Sequence, residues 1–160
     1  ISSGTTRDGL EVFGKMEKGY LLSVDSNWDM YGDGYLSGHY FSEGALREQL
    51  EKAYPGLVFT EEPVENQINM YKRDKVGHIL FLTVGNKTIS GEEFRQLLEL
   101  PSSNFTMQAA DGKIRFLCKG QGHGLGLSQY GGNVLAKEGK SYKEILRYYF
   151  PECGVQKKDS

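Results

Sequence analysis

Six of the thirteen residues from Gly120 to Gly132 are glycine, in the run Gly-Gln-Gly-His-Gly-Leu-Gly-Leu-Ser-Gln-Tyr-Gly-Gly. A strand pattern precedes this run and a helix pattern follows it. Glycine at such density opens left-handed conformations and close backbone approaches that other residues resist. The chain must therefore turn tightly here and bring its backbone against another group. His123 sits between Gly122 and Gly124, with little side-chain shielding. Ser128 stands where a helix N-cap belongs, and Gln129 and Tyr130 follow in the first turn. A helix start exposes free N–H donors and the positive end of the dipole. The segment thus predicts a polar pocket that gathers an imidazole, an amide, a hydroxyl and a phenol.

The flanking patterns set the fold class. Tyr20–Val24 reads as a strand, as does a short piece near Glu11–Phe13 in an otherwise loop-like start over residues 1–18. Asp25–Gly38 is rich in Gly, Asp and Asn and reads as a loop. Ser42 caps a helix over Glu43–Tyr54, in which Leu46, Leu50 and Tyr54 recur at helical spacing before Pro55-Gly56 stops it. Asn69–Tyr71, Val76–Val84 and Thr88-Ile89 read as strands around a Gly85-Asn86-Lys87 turn. Ser90 and Glu93 fit a capping box for a helix that carries Phe94, Leu97 and Leu98 and ends at Pro101. Asp111-Gly112 marks a hairpin between Phe105–Ala109 and Lys113–Cys118, with Ile114, Phe116 and Cys118 on one face. Ser128–Glu138 reads as a helix with Gly139 beyond its end. Ser141 and Glu144 box the start of a last helix, with Ile145, Leu146 and Tyr149 inward. Hairpins mixed irregularly with three or four short helices give an α+β class, not a doubly wound parallel sheet. We read residues 1–155 as a single domain and 156–160 as a frayed tail, with fraying expected at Lys157–Ser160.

Charge and hydropathy exclude several functions. The formal net charge is −2, and no basic stripe is present to neutralise phosphates, so no nucleic-acid partner is expected. The longest apolar run, Ile79–Val84, is too short to span a bilayer, so no membrane span is expected in this chain. Gly120-x-Gly122-x-x-Leu125 departs from the dinucleotide pattern, and no Walker Lys-Ser/Thr pair occurs. No cofactor and no metal are expected: Cys118 and Cys153 lack a ligand spacing, and His39, His78 and His123 offer none either. Pairing of the two cysteines is left open. An exported chain would join them, and a reduced one would keep Cys118 as a buried strand residue. The chain begins at Ile1 with nothing like a signal peptide, so its location is not read from there.

The run Gly122-His123-Gly124-Leu125-Gly126-Leu127-Ser128-Gln129-Tyr130-Gly131 is similar to the G-H-G-V-G-M-S-Q-Y-G-A signature of the stage II sporulation protein D family. The resemblance extends to Lys140–Leu146 with Tyr148–Pro151, to Ser90–Arg95, to Leu100–Phe105, to Tyr20–Val24, and to Ser2–Thr6, which is like a Ser-Gly-Gly-x-Thr loop. It departs at Thr5, Arg7-Asp8, Leu127 and Gly132. That family resembles peptidoglycan lytic transglycosylases, which close the muramic 6-hydroxyl onto C1 and leave a 1,6-anhydro end. One carboxyl group serves there as acid and then as base.

The resemblance implies that peptidoglycan glycan strands are the partner, that other cell-wall hydrolases are further partners, and that the location is extracytoplasmic and cell-wall facing. In the family the acid is a Glu on an upstream helix within a run like E-A-L-K-A-Q-A-V-A-A-R. No such run occurs here, so the chain is expected to start after it. His123 and Gln129 are then supporting residues for the missing acid. Gly122, His123, Gly124, Ser128, Gln129 and Tyr130, with Ser3, Thr5 and Thr6, are the substrate-binding candidates. The bland alternative is that His123 and Gln129 only satisfy backbone groups in a Gly-rich turn. Two other functions compete: a non-catalytic glycan-binding or amidase-enhancing module, and a hydrolase built on carboxylates among Asp25, Asp29, Asp33 and Glu43.

Overall fold

A computed structural model describes residues 1–14 and 19–156. The fraying expected at Lys157–Ser160, and the part of the loop reading over 15–18, lie outside the described residues. The fold is α+β, with five α-helices and six strands in two antiparallel sheets among the described residues. The chain forms two compact units, one made of Leu36–Lys119 and the other of Ile1–Tyr35 together with Gly120–Ser160.

In the Leu36–Lys119 unit, β1 (Leu36–Ser42), β6 (Lys113–Lys119) and β5 (Phe105–Ala110) form one sheet in the order β1-β6-β5. The second sheet is β2 (Ile68–Arg73), β3 (Ile79–Val84) and β4 (Lys87–Ser90), in chain order. The β5–β6 hairpin turns where expected: Asp111 and Gly112 have φ of 52° and 70°, the pair of left-handed residues that a two-residue turn between twisted strands requires. α2 (Glu43–Ala53) is capped by the Ser42 hydroxyl on the Ala45 N–H. α3 (Gly91–Leu97) is capped by Ser90 on the Glu93 N–H.

Period-2 alternation sends Ile114, Phe116 and Cys118 inward. There Phe116 meets Phe94, Phe105 and Phe41 at ring separations of 5.4 to 5.7 Å. Leu46, Leu50, Leu82 and Val84 complete the core. Cys118 and Cys153 are free thiols, and burial pushes the Cys118 thiol up to about 11.

The other unit carries α1 (Gly9–Phe13), α4 (Gln129–Lys137) and α5 (Tyr142–Tyr149). Its small core joins Leu135, Ile145 and Tyr149 to Val24, Trp28, Leu127 and Phe150. Ser141 and Glu144 form the full capping box expected of them.

Four local expectations are corrected. Glu11–Phe13 belongs to helix α1, because Asp8 accepts from the Leu10 N–H and Gly14, at φ 65°, closes the last turn. Five residues are too few to show a helical period in the sequence. Tyr20–Val24 does not form a strand, and Tyr20 itself lies in a turn. The Thr6 hydroxyl takes the Val24 N–H at 2.9 Å, where a ladder bond would otherwise form, and pairing reduces to one isolated bridge, Thr5 with Asp25. The loop read over Asp25–Gly38 contains a 3-10 turn at Asn27–Tyr31 and the start of β1. β1 has Gly and Ser at strand positions and owes its extension to seven paired residues of β6. At Ser90 only the serine half of the box is made, because the Glu93 carboxylate serves the Tyr54 hydroxyl instead.

Candidate functional site

The glycine run folds as its spacing demands. Gly120, Gly122, Gly124 and Gly126 take φ of 75°, 87°, 72° and 69°, so every second residue is left-handed and neither helix nor strand can continue. The loop so formed lines a cleft of about 300 Å³. Its walls are Ile1, Ser2 and Thr6 from the first segment, Gln121 to Leu127 from the loop, and Ser128 and Gln129 from the start of α4.

Within the loop, the Leu125 N–H donates to Nδ1 of His123 at 3.0 Å. A ring nitrogen that accepts carries no proton, so neutral His123 holds its proton on Nε2 and presents an N–H donor. The side chain is exposed. The loop is braced from behind by Arg7, whose backbone N–H donates to the Gly124 carbonyl at 2.7 Å. Its Nη1 donates to the His123 carbonyl at 3.2 Å. Arg7 is 4% exposed, so it acts as a buttress and not as a ligand contact.

Below the loop lies a buried polar bracket. Asp29 is fully buried. One carboxylate oxygen accepts from the Ser2 N–H at 2.6 Å, and the other accepts from the Ser128 hydroxyl at 2.7 Å. Ser128 in turn accepts from the Gly131 N–H at 3.2 Å, capping α4. Its one O–H is therefore committed to Asp29 and its lone pair to the helix, so Ser128 holds the cleft together. Beside it, the Ser26 and Tyr149 hydroxyls lie 2.8 Å apart.

Gly122, His123, Gly124, Ser128, Gln129 and Thr6 all line the cleft. Thr6 does so with its hydroxyl already engaged on the backbone of Leu22 and Val24. Gln129 opens α4 with an exposed side chain. Tyr130, Ser3 and Thr5 are not among the cleft walls. The Tyr130 ring packs over Gly32, where a Cβ would stand 3.2 Å from it. Ser3 gives its carbonyl to the Tyr35 hydroxyl, and Thr5 donates to Asp25.

No Asp or Glu side chain lines the cleft among the described residues. Of the carboxylates weighed as a hydrolytic pair, Asp29 is occupied as above, Asp25 accepts from Thr5, and Glu43 accepts from the Val64 N–H. His39 bonds Ser37 and His78 bonds Ser103. Among the described residues no three His, Cys, Asp or Glu side chains gather as a metal centre would require.

Arg7 and the bracketing role of Asp29 escaped the sequence reading. Their partners lie 116 and 99 residues away along the chain, and no local pattern encodes such pairs.

No protein-family model matches the chain. It is 31% identical over 141 residues to stage II sporulation protein D of Bacillus amyloliquefaciens. It is 29% identical over 142 residues to the protein of that name from Bacillus subtilis strain 168. Each match covers 88% of this chain and 39% of the relative. An amidase enhancer of Bacillus subtilis is 32% identical over 88 residues, covering 55% of this chain and 12% of that protein. The chain is thus similar to stage II sporulation protein D over most of its own length, and spans about two fifths of the length of the two proteins of that name it matches.

Proposed function

We propose that this chain is the glycan-holding part of a peptidoglycan-acting protein of lytic transglycosylase type, placed at the cell envelope facing the wall. The observation that carries this is the cleft. Its rim offers the His123 Nε2–H and the Gln129 amide above a floor of fixed polar and backbone groups. Neutral donors and backbone amides suit a sugar strand, whose surface is hydroxyl and acetamido groups. The amidase enhancer relative supports a cell-wall setting from a second direction.

The chemistry needs one carboxyl group that acts first as acid on the leaving oxygen and then as base on the muramic 6-hydroxyl. No carboxylate lines the cleft among the described residues, and the chain has no run like the family's acid-bearing helix. The acid is therefore assigned outside these 160 residues. His123 and Gln129 then hold the strand so that the scissile oxygen meets that acid, a positioning task worth several orders of magnitude when geometry is tight.

The test is to incubate the chain with purified peptidoglycan, to look for 1,6-anhydro muropeptides by mass spectrometry, and to measure bound protein by pull-down. The expected result is binding without anhydro products, with binding weakened in His123→Ala. Anhydro products from this chain alone would place the acid inside it. Absence of binding would return His123 to a structural turn. Binding that persists in a parent lacking any carboxyl near the strand would favour the non-catalytic, amidase-enhancing role.

A further inference from the structure

The sheet β1-β6-β5 buries one face and leaves the other open. Its register sets three residues side by side across the strands: Tyr40 opposite Arg115, and Arg115 opposite Gln108. The rows on either side are Gly38, Leu117 and Thr106, and Ser42, Lys113 and Ala110. Tyr40 is 63% exposed. Its ring leans along the strand over Gly38, where a Cβ would stand 3.4 Å from a ring carbon and 3.5 Å from the phenolic oxygen. The ring thus lies down over a position without a side chain and turns its other face to solvent.

Beside it, Nη2 of Arg115 donates to Oε1 of Gln108. That bond orients both side chains and leaves the Gln108 amide N–H groups for another acceptor. A hollow of about 360 Å³ is lined by Tyr40, Gln108, Ala110, Asp111, Lys113 and Arg115. The strands place Lys113, Arg115 and Lys119 on this face and no carboxylate. Asp111 stands at the turn end.

We propose that this sheet face is a second saccharide-binding site, selective for an amino-sugar strand that carries carboxylates. It deepens the glycan-binding function above and rests on it. The C–H face of a pyranose packs on the open face of Tyr40, as apolar groups do on an aromatic ring. The carboxylate of a neighbouring lactyl-bearing sugar meets the planar fork of Arg115, whose geometry suits it, and the charge of Lys113. The Gln108 amide donates to a ring substituent.

The test is an NMR titration of the ¹⁵N-labelled chain with peptide-free glycan strands of alternating N-acetylglucosamine and N-acetylmuramic acid. Neutral chitotetraose serves as the uncharged probe. Amide shifts are expected at Tyr40, Gln108 and Leu117 in addition to those of the cleft. Tyr40→Ala is expected to weaken binding at this face roughly three- to tenfold, the loss of one aromatic contact. Tyr40→Phe keeps the ring and is expected to retain affinity. Arg115→Gln is expected to abolish the preference for the charged strand over chitotetraose and to flatten the salt dependence. Circular dichroism of each variant checks the fold.

Sheet shifts that survive His123→Ala, with cleft shifts lost, support both sites. Cleft shifts with a silent sheet face overturn this proposal and leave the cleft standing. Sheet shifts with a silent cleft do the reverse. Equal affinity for chitotetraose, or self-association covering Tyr40, overturns recognition of a charged sugar.

Discussion

Gly131 offers the sharpest test of how the cleft is held. It lies in the first turn of α4 and is buried. A Cβ there would stand 2.1 Å from the Tyr149 hydroxyl oxygen and 2.5 Å from the Ser26 Oγ. Both atoms are far inside contact distance, so Gly131→Ala must drive α4 and α5 apart by roughly 1 Å to restore ordinary separation. Over-packing of this kind costs about 1–3 kcal/mol. Breaking the bond between the Ser26 and Tyr149 hydroxyls strands buried polar groups and adds about 1–3 kcal/mol. Alanine's better helix propensity returns about 1 kcal/mol. The net expectation is a loss of about 3 kcal/mol.

Urea unfolding followed by tryptophan fluorescence measures this loss directly, because Trp28 is the only tryptophan in the chain and packs against the small core of this unit. Tyr149→Phe removes the clashing atom, so the double variant Gly131→Ala/Tyr149→Phe should recover at least about 1 kcal/mol relative to Gly131→Ala. An alanine variant as stable as the parent, or a double-mutant cycle with no coupling, would refute the proposed close approach.

Asp29→Ala leaves the Ser128 O–H and the Ser2 N–H without their acceptor, and should cost about 3 kcal/mol in the same urea assay. Asp29→Asn, with one carbonyl for two donors, should fall between, and an alanine variant matching the parent would remove the bracket. The Glu144 carboxylate is held below its ordinary range by the Ser141 N–H and hydroxyl. Its contribution to α5 is therefore present above the unfolded glutamate value and lost as pH falls through the lower folded one. Glu144→Gln keeps the bonds without the charge, so the difference in urea midpoint should vary with pH across the acid range; a constant difference would count against the cap's charge. The Tyr54 hydroxyl is pushed up to about 12, first by burial and then by Glu93. Stability from this group is full below the ordinary value of 10 and is lost as pH rises towards about 12. Ring NMR shifts of Tyr54 should show the high midpoint, and Glu93→Gln should lower it only in part; complete return to the ordinary value would mean burial is not the main cause.

What the sequence revealed follows from how far apart the cooperating residues lie. The Ser42 and Ser141 caps, the Asp111-Gly112 turn and the Ile114/Phe116/Cys118 face are decided within a few residues, and each formed as read, whereas the Ser90 box lost its Glu93 half to the distant Tyr54. β1 needed β6 to extend it, and Tyr20–Val24 lost its strand to a hydroxyl of Thr6; both outcomes depend on a distant partner. The candidate site divides in the same way. The spacing of Gly122, His123 and Gly124 is local, so the loop and its imidazole were readable. Asp29 and Arg7 were not, because they act on residues across the chain. Gly131 joins the two cases. It is visible in the sequence as one glycine among six, but its necessity comes from Tyr149 and Ser26, which no spacing within the run records. A glycine cluster therefore shows that something approaches the backbone, and only the packed structure shows which glycine faces open space and which admits the protein's own core. Here Gly122 has open space about it, beside the imidazole at the cleft, and Gly131 makes room for the bonded hydroxyls of Ser26 and Tyr149 that pack against α4.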